Sequence, residues 1–169
     1  MHVRACALLA LLLLCGFAGP LEAKGELTRI VIQREAGTTP AEIRDGEVLR
    51  RFSPWRGLGA WSEGVEQTNG FIVDWSSGTT AGPSNSRELY DLRFYATLSD
   101  NPREQLVYSV TYAYEPQKGQ DAVYLPGKDD ARYAVNVRSI FRGVEGRWYR
   151  PTFEWQSVAR TLISRISRK

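Results

Sequence analysis

The sequence contains one histidine, one methionine and two cysteines, and all of them (Met1, His2, Cys6 and Cys15) sit at its very start. Everything after Cys15 therefore lacks imidazole, thiol and thioether. That stretch has no cysteine nucleophile, no histidine general base, no Ser-His-Asp arrangement and no zinc site built on imidazole or thiolate. Carboxylate or lysine chemistry remains open, as does a hard-cation site of oxygens. No glycine-rich phosphate loop occurs, and Asp129-Asp130 lacks the spaced oxygens and glycine of a calcium loop. No metal site and no cofactor is expected, and no residue stands out as catalytic.

The start of the chain explains where those residues went. Met1-His2-Val3-Arg4 precedes an apolar run from Ala5 to Phe17, followed by Gly19-Pro20-Leu21-Glu22-Ala23. A basic start, a short apolar core and a small residue at the cut describe a secretory signal. Pro20 ends the apolar segment and Ala23 supplies the small residue, placing cleavage before Lys24. Leu21 is larger than ideal for its position, which leaves a cut after Ala18 as the alternative. The run is shorter than the roughly 20 residues a membrane span needs. Leu14, directly before Cys15, is too large for a lipoprotein signal, so lipid anchoring is disfavoured. The expectation is a secreted or periplasmic protein. Residues 1–23 form the signal and 24–169 a single domain, long enough to bury a core without disulfides.

Hydropathy patterning along 24–169 is mostly that of strands. Leu27–Glu35 is β-branched at its centre, and Gly37 to Pro40 breaks it. Asp45 precedes a short helical pattern in which Val48, Leu49 and Phe52 share a face and Pro54 ends it. The segment "PWRGLGAWSEG" carries Trp55 and Trp61 among glycines and reads as irregular. Phe71–Val73, continuously apolar, reads as a central strand, followed by a long exposed loop, Ser76–Ser86. Arg87–Leu98 and Gln105–Glu115 alternate cleanly about Asp100-Asn101-Pro102, predicting an antiparallel hairpin. One face carries Tyr90, Leu92, Phe94 and Ala96 against Tyr108, Val110 and Tyr112. Ala122–Leu125 reads as a short strand, and Arg132–Arg142 as another, with Tyr133, Val135, Val137 and Phe141 aligned. Trp155, Val158, Leu162 and Ile166 recur at helical spacing, predicting an amphipathic helix over about 153–167. The fold class expected is mainly β: an antiparallel sheet, sandwich-like or half-barrel, with a short early helix and a C-terminal amphipathic helix packed on it.

Candidate functional residues follow from this layout. Trp55 and Trp61 fall in an irregular glycine-rich segment, where rigid scaffolds place binding aromatics; the structural alternative is that they plug the end of the sheet. Asp74 beside Trp75 suggests an acid and an aromatic platform, as carbohydrate sites use. In a regular strand the two would point to opposite faces, which favours a core role for Trp75 and a turn-capping role for Asp74. The tyrosines of the hairpin read as a core face rather than a cleft. Glu63, Glu66 and Asp74 are close enough in sequence to offer a carboxylate pair of glycosidase type.

Removing Arg4 and Glu22 with the signal leaves 21 basic and 18 acidic residues, and Arg147–Lys169 alone carries six basic residues and one acid. Arg160, Arg165 and Arg168 lie off the apolar stripe of the terminal helix. They could touch an anionic surface, making membrane contact at most peripheral. An exported, weakly basic domain is not a nucleic-acid binder. The stretches "VLRRFSPW" and "GFIVDWSSG", behind a secretion signal, resemble those of small secreted bacterial proteins of unknown function; the resemblance implies an exported β-rich domain and no activity. The sequence reading is thus an exported, non-catalytic domain binding an envelope or extracellular ligand or protein through its Trp-containing loops. Two alternatives stand beside it: a carboxylate-dependent glycan-active enzyme using acids such as Glu66 and Asp74, and a peripheral envelope protein attached through the basic terminal helix.

Overall fold

The computed structural model describes residues 25–34, 39–62, 64–67, 69–83, 88–117 and 119–166. The expected signal segment, Glu63, residues 84–86 of the long loop, and Arg168 lie outside them. The strands are β1 (Glu26–Arg34), β2 (Ala41–Ile43), β3 (Trp61–Ser62), β4 (Val65–Glu66), β5 (Thr79–Thr80), β6 (Glu88–Leu98), β7 (Asn101–Tyr114), β8 (Ala122–Leu125) and β9 (Arg147–Tyr149). The helices are α1 (Gly46–Arg51), α2 (Tyr133–Ser139) and α3 (Phe153–Ile166). Seven strands form one open antiparallel sheet in the order β2-β1-β6-β7-β8-β9-β5, while β3 and β4 make a separate two-stranded ribbon. No helix of the described residues is long and apolar enough to cross a membrane.

The β6–β7 hairpin is the spine, as its alternation predicts. Tyr90, Leu92 and Phe94 pair with Tyr112, Val110 and Tyr108, and all six side chains are fully buried on the inner face. Tyr90, Tyr108 and Tyr112 therefore fill the core. β7 starts at Asn101, so the turn is tighter than the sequence suggests. The inner face is covered by α1, by the irregular chain between residues 52 and 75, and by α3. Phe52 meets Trp155 edge-on at 5.0 Å, and Phe71 packs against Phe94 and Tyr108 at 5.5 and 5.4 Å. Asp45 caps α1 as expected, accepting from the Glu47 and Val48 amides. The outer face carries Arg29, Glu42, Asp91, Arg93, Tyr124 and Trp148, by register.

Two expected strands are something else. Phe71–Val73 is not a central strand: only Val73 forms a bridge, to Pro151, and Phe71 has φ +64°. The three side chains are buried because the segment crosses over the inner face, so a short apolar run fits covering chain as well as a strand. Left-handed backbone at a bulky residue costs about 1–2 kcal/mol, offset here by full burial of the ring.

Arg132–Arg142 contains α2 instead of a strand, and Phe141, expected in the aligned row, is exposed. The reason lies at the edge of β7. β8 pairs only with Thr111–Ala113, leaving the backbone at Ser109 and Val107 without a strand beside it. The buried Asn136 amide takes the place of a strand residue. Its Oδ1 accepts from the Ser109 amide and its Nδ2 donates to the Ser109 carbonyl, both at 2.7 Å. Ser139 Oγ donates to the Val107 carbonyl. A helix thus closes an edge that would otherwise invite another strand.

The terminal helix occurs as expected, with residue 167 outside the described range. Its buried line is Trp155, Ala159 and Ile163, at i and i+4 spacing, with Val158, Leu162 and Ile166 flanking it. Helical spacing directs Arg160 away from the core, yet the side chain turns back into the fold. Its Nε and Nη2 donate to Asp121, whose side chain is wholly buried, and Nη2 also donates to the Glu115 carbonyl. Arg165 is exposed.

Candidate functional site

The irregular segment that follows α1 is organised by a residue far along the chain. Arg142 leaves the end of α2 and turns its side chain into the space between that segment and the sheet, where it is 6% exposed. Its guanidinium donates to the carbonyls of Pro54, Arg56 and Leu58 and, at 3.3 Å, to Tyr108 Oη. Its charge faces three rings, with Cζ 4.6 Å from the centroid of Phe71, 5.2 Å from Trp75 and 5.6 Å from Tyr108. Among the described residues no carboxylate forms an ion pair with it. Carbonyl dipoles and aromatic faces hold the cation instead. Burial pushes the Tyr108 phenol above its ordinary range, so that hydroxyl stays neutral beside the arginine.

Close packing follows from this clamp. Gly57 has φ +80°, and a Cβ there would overlap the Trp75 indole nitrogen, so only glycine fits. Gly59 presses against the Phe141 carbonyl and Arg142 Cα. Its amide donates to Glu66 Oε1 at 2.8 Å, and the Gln67 amide donates to the Ala60 carbonyl. These bonds fasten the base of the β3–β4 ribbon. A two-stranded ribbon of this length would not hold its shape unaided.

The ribbon carries the apolar surface at this end. Trp61 is 60% exposed and Val65 64%, on opposite faces of the ribbon by register, and Phe141 on the adjoining segment is 61% exposed. A large, rigid aromatic held out from a fixed base is suited to entering a partner's pocket or stacking on a ring.

The three binding residues expected from the sequence thus have different fates in the folded chain. Trp61 is presented outward. Trp55 is half-buried against the core and lines a cleft of about 450 Å³ with Leu27, Leu49, Arg50 and Gln67. Asp74 ends its segment as an N-cap. It accepts from the Ser76 amide at 3.1 Å and from the Ser76 and Ser77 hydroxyls, and those bonds hold its carboxyl below the usual range. Trp75 follows in a single 3₁₀ turn, packed against the core. Glu66 and Asp74, the candidate carboxylate pair, each serve a separate local bond. Of the basic residues, Arg160 is committed to Asp121. That carboxylate also accepts from Tyr112 Oη, the Glu115 amide and Gln156. Burial, then Asp121, push the Tyr112 phenol far above its ordinary value.

Arg142 carries no signal in the sequence, being one of 22 basic residues in no motif. The glycines at 57 and 59 were the available hint that something presses closely on this segment. No protein-family model matches the chain, and neither a curated protein nor a solved structure matches it.

Proposed function

We propose that the chain is an exported, non-catalytic recognition domain that engages an envelope or extracellular ligand through the Trp61 edge. One observation carries this reading: Trp61 is largely exposed on a ribbon whose base is fastened by Glu66 and by the Arg142 clamp. A pre-organised aromatic loses little freedom on binding, so more of its contact energy appears as affinity. The carboxylate-enzyme alternative has less support. Glu66 binds a backbone amide, and both Asp74 oxygens are taken up by Ser76 and Ser77, so each carboxylate serves a separate local contact. Attachment through the basic terminal helix also has less support, since Arg160 is paired with the buried Asp121.

The test is retention of the processed protein on isolated envelope membranes and on purified cell-wall material, at low and high salt. Trp61→Ala is expected to reduce affinity by about 30-fold, the effect of truncating an interface hot spot of roughly 2 kcal/mol. Retention should survive high salt, because the contact is apolar. Retention by Trp61→Ala equal to wild type would refute the assignment, and loss with salt would favour the helix instead.

A further inference from the structure

A second, independent surface lies on the outer face of the sheet. The registers place Gln33, Asp91, Thr111, Tyr124, Trp148 and Thr80 side by side, one from each of β1, β6, β7, β8, β9 and β5. At about 4.8 Å per strand, Asp91 and Trp148 stand roughly 14 Å apart along this row. Between them runs a groove of about 390 Å³ lined by Leu89, Asp91, Thr111, Tyr124, Arg132 and Trp148. That volume lies within the roughly 300–1,000 Å³ typical of small-ligand sites.

The two ends of the groove differ. At one end Tyr124 and Trp148 form an angled aromatic platform, their centroids 5.1 Å apart and their planes at 36°. Both rings are half-buried, and Gly82 packs so closely on the pyrrole edge of Trp148 that an added Cβ would lie 3.1 Å from Nε1. At the other end Arg132 bridges two carboxylates. Nη1 donates to Asp91 at 3.1 Å, while Nε and Nη2 grip Asp130 at 3.0 and 2.8 Å. Arg93 donates to the second oxygen of Asp91.

The chemistry of this row selects its ligand. Two guanidiniums balance two carboxylates, so the groove has no net charge to attract an anion or a cation. Three of the five N–H groups of Arg132 are used, leaving two donors; Asp91 keeps free lone pairs, and Thr111 adds a hydroxyl. Both Asp91 and Arg132 keep 29% of their side chains exposed, so these positions are reachable. A planar array of donors and acceptors locked in place beside an aromatic platform fits a molecule with hydroxyls at its rim and C–H groups on its face. We infer that this groove binds a neutral saccharide, its ring stacked on Tyr124 and Trp148 and its hydroxyls bonded to Asp91, Arg132 and Thr111. The inference does not depend on the Trp61 edge, which belongs to the ribbon beyond the inner face.

The test is a titration of the ¹⁵N-labelled processed protein with two neutral probes, cello-oligosaccharides and chitin oligosaccharides. The five tryptophans give five indole N–H signals, and Trp148→Phe identifies the one at the groove. At about 0.3 kcal/mol per contacting atom for roughly 12–15 atoms, binding should show a Kd on the order of 1 mM. The Trp148 signal should move with at least one probe, to the same extent at low and high salt. Asp91→Asn should weaken binding about fivefold, the loss of one charge-assisted hydrogen bond of about 1 kcal/mol, and Trp61→Ala should leave it unchanged. A Trp148 signal unmoved by both probes at about ten times the expected Kd overturns the inference. So does a shift confined to Trp61, or full affinity in a folded Asp91→Asn protein. The wild-type spectrum decides the matter even where a variant fails to fold.

Discussion

Replacing Arg142 by methionine removes the clamp while keeping most of the side chain's volume. Four hydrogen bonds go, to Tyr108 Oη and to the carbonyls of Pro54, Arg56 and Leu58, together with the contacts to Phe71, Trp75 and Tyr108. Hydrogen bonds to charged groups contribute about 1.5–3 kcal/mol each, and a desolvated cation–π contact about 2 kcal/mol, though such values do not add. Against these stand the cost of burying the cation, which methionine avoids, and rehydration of some carbonyls at the loop surface. Methionine strands no charge, so the loss is that of the unmatched carbonyls and hydroxyl, about 1–3 kcal/mol each where water does not reach them, a net of about 3–5 kcal/mol. Urea unfolding followed by tryptophan fluorescence should show that loss, with a fall in Tm of about 10 °C for a chain of this size. Arg142→Lys should lose about 2 kcal/mol, because a compact ammonium cannot span three carbonyls as a planar fork does. Binding through Trp61 should weaken in Arg142→Met even at temperatures where the protein is folded. A loss below about 1 kcal/mol would show that the segment is held by its apolar contacts alone.

Three further outcomes are expected. Arg160→Ala should cost about 2–4 kcal/mol, since it strands the buried Asp121, whereas Arg165→Ala should stay within about 0.5 kcal/mol; chemical denaturation of the pair reads the difference. Asn136→Leu should cost about 2–3 kcal/mol by leaving the Ser109 amide and carbonyl unmatched, and hydrogen exchange at Ser109 should accelerate. Stability should also fall in acid. Asp74, Asp130 and Glu42 are held below their ordinary range chiefly by Ser76, Arg132 and Arg44 respectively. Their contribution is complete above the unfolded carboxylate range, near pH 4, and is lost as pH falls through the lower folded values. Urea midpoints measured from about pH 5 down to 2 should therefore decline, with a shallower slope in Asp74→Asn.

The parts of the fold legible in the sequence are those governed by local rules. Alternation along residues 87–115 identifies the hairpin because every second side chain faces the core. Asp45 and the helical spacing after it identify α1. What escapes a sequence reading depends on distant chain. Tyr133, Val135 and Val137 suggest a strand, yet Asn136 between them is needed on a helix to satisfy the open edge of β7, a requirement set by β8 being short. Phe71–Val73 is apolar enough for a strand, but its backbone bends to lay Phe71 on Arg142. Trp61 is recognisable as a binding candidate from its glycine-rich setting. Its difference from Trp55 is not, because Trp55 packs against the core beside Leu27 and Leu49 while Trp61 stands on the ribbon, and both placements depend on distant chain. The outer groove is invisible for a similar reason: Asp91, Tyr124 and Trp148 come from three separate strands and meet only through the register.

Recognition without turnover is the central claim, and one incubation tests it most directly. Protein spanning residues 24–169 is mixed with purified cell-wall material and pelleted, with protein measured in the pellet and newly formed reducing ends in the supernatant. Recognition predicts protein in the pellet, dependent on Trp61, and no increase in reducing ends over time. Sustained release of reducing ends, abolished by Glu66→Gln or Asp74→Asn in folded protein, would contradict it and identify an enzyme.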